Sequence, residues 1–320
     1  MIGIFKNNNP LALLLLVLLA FLPGMTSESM ANAAMPSGAT AIFNELSAFL
    51  SFLDASKSML GKFISIALLL SEALLLNKII SYHKLMERAG FIPALSFVLL
   101  NMLLPFHTST VFLLLNGMLL LVFKLLIVVY KQNNANNQLL LTGFVVGCLA
   151  SMNTPFLTLY CWIIIAIMIM RPSSLREYLL SSIGFILPFY FLTSGLYLFD
   201  KLNFSMVFPP VAIDFKLPAL SPLEWTKISL FLLLPWIGMF SYNIQIGKMM
   251  IQARKAYLIM LILVMAILVI CLFSIKDMST TLTLMLVPST LLFSPLFLVF
   301  RKNFIPNLIL IALIILALLR

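Results

Sequence analysis

The sequence predicts an all-α fold, a polytopic bundle of about eleven transmembrane helices. Of its residues, 62% are hydrophobic and only 9% are charged, which leaves too little polar surface to cover a water-soluble protein. The apolar residues also gather into runs near the roughly 20 residues that a helix needs to cross a bilayer. Because a spanning segment must satisfy its own backbone hydrogen bonds, these runs are expected to be helical. We expect residues 1–320 to form a single integral membrane domain.

Apolar runs of different length define the candidate spans. Asn153 and Thr154 followed by Pro155 predict a turn, because the residue before proline avoids the α conformation. The long run 139–170 is therefore divided into two helices. The run 91–105 is short, which suits a segment buried in the bundle or a re-entrant one. The candidate spans are 8–25, 58–80, 91–105, 108–130, 138–154, 155–170, 177–199, 225–243, 256–275, 280–300 and 304–319.

The charges outside the spans separate by side of the membrane. With the N-terminus in the cytoplasm, the inside segments carry a net charge of +10, which is the whole formal excess of the chain, and the outside segments balance. This is the distribution that the positive-inside rule describes, so we expect a multi-pass protein with a cytoplasmic N-terminus. Topology and attraction to anionic headgroups account for the basic charge. Membrane lipid is the expected partner, and nucleic acid is not.

The first apolar run has two interpretations. Lys6, the apolar stretch 11–22 and the small residues 31–34 resemble a secretory signal with its cleavage site. However, the apolar stretch ends well before that site, and the segment 7–10 is typical of a helix start. We expect a retained first helix. If the segment is cleaved, about ten helices remain.

Two outside segments are long enough to build a site, 26–57 and 200–225. Within the first, residues 41–54 have the pattern of an amphipathic helix lying in the membrane interface, with Asn44 on its polar side. The second segment is rich in proline and aromatic residues, so we expect it to fold over the membrane surface. The predicted apolar stripe of the interfacial helix consists of Ile42, Leu46, Phe49, Leu50 and Leu53.

Two opposite charges, Glu72 and Lys124, lie inside predicted spans. Counted from Lys78 and Lys131 at the inner ends, both are roughly 9 to 10 Å deep. Equal depth predicts an interhelical ion pair, because charges in hydrocarbon usually face a partner or a wet cavity. The alternative is that Lys124 extends to the headgroups while Glu72 is protonated or hydrated.

Small residues and prolines inside the spans predict how the helices pack and where they bend. Gly143, Gly147 and Ala150 form a stripe that predicts close approach of a neighbouring helix. The prolines within spans predict kinks; they are Pro188, Pro235, Pro288 and Pro295. No metal site is predicted, because His83 and His107 fall on opposite sides of the membrane. No nucleotide-binding loop or Gly-x-Ser-x-Gly elbow occurs either, and the sequence assigns no cofactor.

The layout resembles the membrane module of the GT-C superfamily, the polytopic glycosyltransferases that use polyprenyl-linked sugars. Over residues 1–200 it shares an inside N-terminus, one helix, a long outside loop with an interfacial helix, and closely spaced helix pairs. The most similar stretch is Leu141-Thr-Gly-Phe-Val-Val-Gly-Cys-Leu-Ala-Ser-Met-Asn-Thr-Pro155, followed by Arg171-Pro-Ser-Ser-Leu-Arg-Glu177. The opening Met1-Ile-Gly-Ile-Phe-Lys-Asn-Asn-Asn-Pro10 is similar to an uncharacterised bacterial inner-membrane family. The resemblance implies a bacterial inner (cytoplasmic) membrane protein.

The resemblance also implies candidate site residues. GT-C enzymes generally carry acidic residues after the first span, and the acids nearest that place are Glu28, Glu45 and Asp54. One of them would serve as the catalytic base on a lipid-linked substrate. A basic groove would hold the donor phosphate, for which the candidates are Lys57, Lys62, Lys201 and Lys216.

Three function classes follow from these observations. The first is a GT-C-like protein that handles polyprenyl-phosphate-linked sugars in envelope glycan assembly. The second is a noncatalytic scaffold or a subunit of an envelope biogenesis or export complex, whose partners would be other envelope membrane proteins. The third is a small-molecule transporter, which would be expected to show internal repeats and discontinuous helices with polar residues at the midplane. The sequence shows no repeat.

Overall fold

A computed structural model provides the structure of most of the chain. The described residues form helices and no β-strand, so the predicted all-α fold is confirmed for this part of the protein. The described residues are 2–6, 10–26, 40–50, 59–86, 90–104, 110–130, 132, 134–172, 174–200, 207–209, 221–245, 247, 249–273, 278–300 and 304–319.

The helix bounds follow the predicted spans closely. The predicted turn before Pro155 is confirmed, because one helix ends at Met152 and a 3₁₀ turn, Thr154–Leu157, leads into the next. In chain order the helices are α1 (Ile2–Lys6), α2 (Pro10–Thr26), α3 (Ala41–Leu50), α4 (Met59–Tyr82), α5 (Ile92–Leu103), α6 (Thr110–Val129), α7 (Asn136–Met152), α8 (Thr158–Met170), α9 (Leu175–Leu198), α10 (Pro222–Gln245), α11 (Ile251–Phe273), α12 (Met278–Leu284), α13 (Leu286–Phe293), α14 (Leu296–Val299) and α15 (Phe304–Leu318).

Five of these helices are long and apolar enough to cross a membrane. They are the segments Gly61–Tyr82, Thr110–Val129, Leu175–Leu198, Pro222–Tyr242 and Ile251–Leu272. Shorter apolar helices accompany them, among them α2, α5 and α15. The chain is therefore a helical membrane protein by the length and composition of its helices.

The centre of the bundle is formed by α5 and α13. Every residue of α13 is buried, and so is every residue of α5 except Asn101. Around them, α13 packs against α5, α10 and α11, and α5 also packs against α4. A helix that is apolar on all sides is expected in the core of a bundle or in lipid, and α5 lies in the core. The predicted segment 91–105 is thus buried in the bundle over α5, which fits both a buried span and a re-entrant segment.

The predicted span 280–300 is interrupted at Met285 and at Ser294–Pro295, so that it is divided into three short helices, close to the prolines that predicted kinks. Proline explains both positions. Pro288 has no N–H to donate to the carbonyl of Leu284, four residues earlier, and α12 ends at that residue. Pro295 likewise leaves the Leu291 carbonyl without its helical donor, and the Ser294 hydroxyl donates to it at 3.2 Å.

The glycine stripe of α7 packs against α9, as its spacing predicted. A Cβ atom added to Gly143 would lie 2.1 Å from the carbonyl oxygen of Ser181, and one added to Gly147 would lie 2.4 Å from that of Phe185. Gly184 returns the contact from α9, because its Cβ would lie 2.2 Å from the Leu140 carbonyl oxygen. The two backbones therefore approach so closely that only glycine fits at these positions.

At the end of the bundle that carries α1, side chains tie several helix ends together. Arg171 forms an ion pair with Glu177 at 2.9 Å and donates to the Gln132 carbonyl at 2.9 Å. Lys255 donates to the Met170 carbonyl at 2.8 Å. These contacts join the ends of α6 and α8 to the starts of α9 and α11, and we call this region the α1 end.

The N-terminal helix α1 belongs to the same end. The backbone N–H of Ile2 donates to Asn307 Oδ1 of α15 at 2.9 Å, and the N–H of Phe91 donates to the Phe5 carbonyl at 2.8 Å. Gly90 approaches this carbonyl with a φ of 49°, and an added Cβ would lie 2.2 Å from the oxygen. Only glycine meets both conditions without strain.

Candidate functional site

The opposite end of the bundle carries α3, and we call it the α3 end. Thr40, just before α3, donates its backbone N–H to the Met152 carbonyl at 3.1 Å and its hydroxyl to the Ser151 carbonyl at 2.6 Å. These carbonyls lie at the C-terminus of α7, where the last turn of a helix has no backbone donors of its own. The first predicted outside segment is thereby anchored, at Thr40, to the end of α7.

Phe43 is the aromatic anchor of α3. It is buried and stacks on Phe112 of α6 with 6.1 Å between ring centroids. The predicted apolar stripe omitted Phe43, although it did include Leu46, which packs against the core. A helical wheel drawn for a flat membrane surface assumes one apolar side, whereas α3 packs against α6 and α7. The sequence did offer one indication of this second contact: a large aromatic residue, Phe43, lies next to the predicted stripe.

The second outside segment reaches the same place. The Thr154 hydroxyl donates to the Pro209 carbonyl at 3.3 Å, and Phe208 stacks on Phe189 of α9 at 5.5 Å. Between the two anchored segments lies Asn153, which is buried and whose Oδ1 has no hydrogen-bond partner. Sequence analysis assigned Asn153 to a turn only.

The structure describes only part of the predicted site. Glu45 lies on α3 and is exposed, and Lys62 lies in the first turn of α4 and is half-buried. The other candidate residues lie outside the described part of the chain: Glu28, Asp54, Lys57, Lys201 and Lys216. The contacts at the α3 end therefore show how the region around the candidate site is held in place. Of the candidate carboxylates, Glu45 is the one that the structure describes.

The predicted ion pair between Glu72 and Lys124 is not formed in this structure. Glu72 is 3% exposed, Lys124 is exposed, and the ion pair found among the described residues is a different one, Arg171–Glu177. The depths were counted from Lys78 and Lys131, but the helices end at Tyr82 and Val129. At 1.5 Å per residue, Glu72 is about 15 Å and Lys124 about 8 Å from its helix end.

Glu72 instead faces Gly117 of α6. A Cβ added to Gly117 would lie 3.3 Å from Glu72 Oε1, which is the one contact within 4 Å from the described residues apart from the chain neighbours and backbone of α6 itself. Gly117 is two helical turns from Lys124, which corresponds to about 10 Å along α6. The second carboxyl oxygen, Oε2, is buried without a hydrogen-bond partner. The glycine thus provides the space that the carboxyl group occupies.

No protein family, curated protein or solved structure matches the chain. Within the described residues, no group of three or more His, Cys, Asp or Glu side chains is arranged to hold a metal ion. Fold and site together define a helical membrane protein with a supported loop region at one end and a buried carboxyl group in its interior.

Proposed function

We propose that this is a multi-pass bacterial inner-membrane protein of GT-C-like architecture, with about eleven spans, that handles polyprenyl-phosphate-linked sugars in envelope glycan assembly. One observation carries the proposal: both long outside segments are anchored to the same turn, Ser151–Pro155, through Thr40 and Pro209. Thr40 and Pro209 thus bring parts of both segments to one point of the bundle, and we place the lipid-linked headgroup there.

Alternating membrane crossing is supported by the pairs of helix ends that meet. If each span crosses in the direction opposite to the one before it, two of these contacts join helix ends on the cytoplasmic side. They are the contact of Ile2 with Asn307 and that of Arg171 with Gln132. Lys227 donates to the Leu319 carbonyl at 2.7 Å, and that contact joins ends assigned to the outside, as do those of Thr40. If the predicted number of spans between two contacting helix ends were wrong by one, the contact would join ends assigned to opposite sides of the membrane.

At the α3 end, Glu45 is positioned to act as the base. Its helix is fixed through Thr40 and Phe43, while its carboxylate is exposed. A carboxylate in this position accepts the proton of the attacking hydroxyl group. Lys62 supplies positive charge for the donor phosphate, as an ammonium group does in many phosphate sites.

The direct test is to isolate the full-length protein from native membranes in mild detergent and to identify its bound lipids and proteins by mass spectrometry. We expect a polyprenyl-phosphate sugar, and we expect Glu45→Gln to abolish sugar transfer from it while Asn44→Ser, also exposed on α3, does not. A stoichiometric protein partner without such a lipid, together with tolerance of Glu45→Gln, would instead identify a scaffold or complex subunit.

A second candidate, small-molecule transport, is favoured by one specific observation. The segment 278–299 is a discontinuous helix in the centre of the bundle, and transporters commonly place substrate sites at such breaks. Several buried hydroxyls line this segment, but those of Ser289, Thr290 and Ser294 each donate to a carbonyl of their own segment. Because these groups are satisfied locally, we rank transport below sugar transfer.

A further inference from the structure

Glu72 is a carboxyl group placed deep in the bundle without a counter-ion. It lies at the middle of α4 and is 3% exposed, and its Oε2 has no hydrogen-bond partner. By contrast Glu177, also buried, holds Arg171 at 2.9 Å. An ionised carboxylate buried without a cation is far less stable than one that is paired. The burial of Glu72 therefore favours its neutral, protonated form.

The helices packed against α4 offer no cation at this depth. α4 contacts α2, α5 and α6, and neither α2 nor α5 contains a charged residue. Lys124 on α6 is exposed and about 10 Å along the helix from Gly117. On α4 itself, Lys62 and Lys78 lie about 15 and 9 Å along the axis from Glu72.

Two buried asparagines on the helices next to α4 also have unmet hydrogen-bond capacity. Asn116, next to Gly117 on α6, is fully buried, and both its Oδ1 and Nδ2 lack partners. On α5, Asn101 Oδ1 is also buried without a partner. Counted from the ends of their helices at the α1 side, Glu72 and Asn101 lie at about the same height. These amides are neutral, so they add polarity to the interior but no counter-ion for Glu72.

Exposed leucines lie close to Glu72 and Gly117 along their helices. Leu75, one turn along α4 from Glu72, is 49% exposed, and Leu121, one turn along α6 from Gly117, is also 49% exposed. Residues three and four apart share a helix face, so the carboxyl group is buried one helical turn from the apolar surface of both helices. A lipid-soluble reagent partitions to such a surface, whereas a charged reagent in water does not.

We propose that Glu72 is a proton-binding site between α4 and α6, one helical turn from the apolar surface of both helices. The proton neutralises the carboxyl group, and its release requires a cation or water to enter between α4 and α6 or the two helices to separate. Gly117 is part of the site because it leaves room for the carboxyl group. The proposal stands apart from sugar transfer at the α3 end, since it concerns different residues.

A hydrophobic carbodiimide tests this state chemically. A protonated carboxyl group adds across one C=N bond of dicyclohexylcarbodiimide: the carboxyl oxygen bonds to the central carbon and the proton moves to nitrogen. The acyl group then shifts from oxygen to nitrogen and gives a stable N-acylurea, with no atom lost. The reaction therefore marks carboxyl groups that are both neutral and reachable from lipid.

The experiment uses the wild-type full-length protein in detergent at neutral pH, with peptide mass spectrometry after labelling. We expect the adduct on Glu72 and none above background on Glu177, which is ion-paired, or on Glu45, which faces water. Equal labelling of all three, or labelling of Glu177 and Glu45 alone, would overturn the proposal. Excess Na⁺ is expected to leave labelling unchanged, and protection by Na⁺ would show a metal cation in place of the proton.

Infrared spectroscopy tests protonation independently of access to the reagent. We expect the carbonyl band of a protonated carboxyl group in the wild type, shifted in D₂O and missing from Glu72→Gln, which preserves the shape of the side chain. Absence of that band from the wild-type protein would mean an ionised Glu72 and would overturn the proposal. Neither measurement depends on sugar transfer, so failure here leaves the function proposed for the α3 end untouched.

Discussion

Single cationic side chains hold helix ends together by binding carbonyl groups. Lys227 donates to the carbonyls of Ala317 and Leu319 at the C-terminus of α15, and Lys255 donates to that of Met170 at the C-terminus of α8. The last carbonyls of a helix lack helical donors and carry partial negative charge. A lysine from another helix supplies both the missing hydrogen-bond donor and a compensating positive charge. These lysines therefore stabilise helix packing in addition to any influence on topology.

The first prediction concerns Arg171, which makes two such contacts, one with Glu177 and one with the carbonyl of Gln132. We expect Arg171→Met to lower the free energy of unfolding by about 2 kcal/mol, between the values for exposed and fully buried ion pairs. Glu177→Gln is expected to cost less, because the backbone contact of Arg171 remains. Thermal unfolding in detergent gives both values.

The double variant shows whether the ion pair is energetically real. If Arg171 and Glu177 interact, the combined loss of stability is smaller than the sum of the two single losses. Purely additive losses would contradict the pair, even if each single variant were destabilised.

At the scale of elements, the second prediction concerns the glycines between α7 and α9. Gly147→Ala and Gly184→Ala each place a Cβ within 2.4 Å of a backbone oxygen of the facing helix. The helices must separate, and we expect a loss of about 1–3 kcal/mol, as for overpacked cores. The measurement is the unfolding temperature of the purified protein in detergent.

Gly195, in the last turn of α9, is the matched control. A Cβ added there meets no atom within 4 Å, so Gly195→Ala is expected to be neutral or to stabilise the helix by up to about 1 kcal/mol through its higher propensity. Equal destabilisation by Gly195→Ala and Gly147→Ala would contradict close packing as the cause.

The helix bounds were predictable because they depend on local properties. Apolar length and the polar pair before Pro155 predicted where α7 ends. The spacing of Gly143 and Gly147 predicted close approach of a neighbouring helix, and the structure shows that this helix is α9. Pro288 and Pro295 predicted kinks in the segment 280–300, and the structure interrupts the helix close to both. Whether proline bends a helix or ends it depends on donors such as Ser294 that surround the freed carbonyl.

The candidate site was less predictable because it depends on pairing between distant segments. The anchoring of Thr40 to Ser151 joins residues more than 100 positions apart, and no local pattern indicates it. The Glu72–Lys124 pair failed for a related reason: a difference of a few residues in the helix end changes the depth by several ångströms. Local signals give the position of a charge along its helix, and packing decides what it faces.

At the scale of the whole molecule, the described contacts divide into two sets that correspond to its two ends. The α3 end joins the first and second outside segments to α7, and the α1 end joins α1, α5 and α15 as well as the starts of α9 and α11. Such a division is expected when each long helix crosses the membrane once and its loops meet only the loops of the same side.

The last prediction tests orientation through single cysteines at the two ends. The native cysteines are Cys148, Cys161 and Cys271, and replacing them with alanine provides the background. Glu45 and Arg254, both exposed, are then changed one at a time to cysteine. We expect a membrane-impermeant maleimide to label Glu45→Cys in intact spheroplasts and Arg254→Cys only after permeabilisation, because the positive-inside rule predicts that the excess of basic residues faces the cytoplasm. The reverse pattern would invert the orientation, and labelling of both in intact spheroplasts would contradict the odd number of crossings between them.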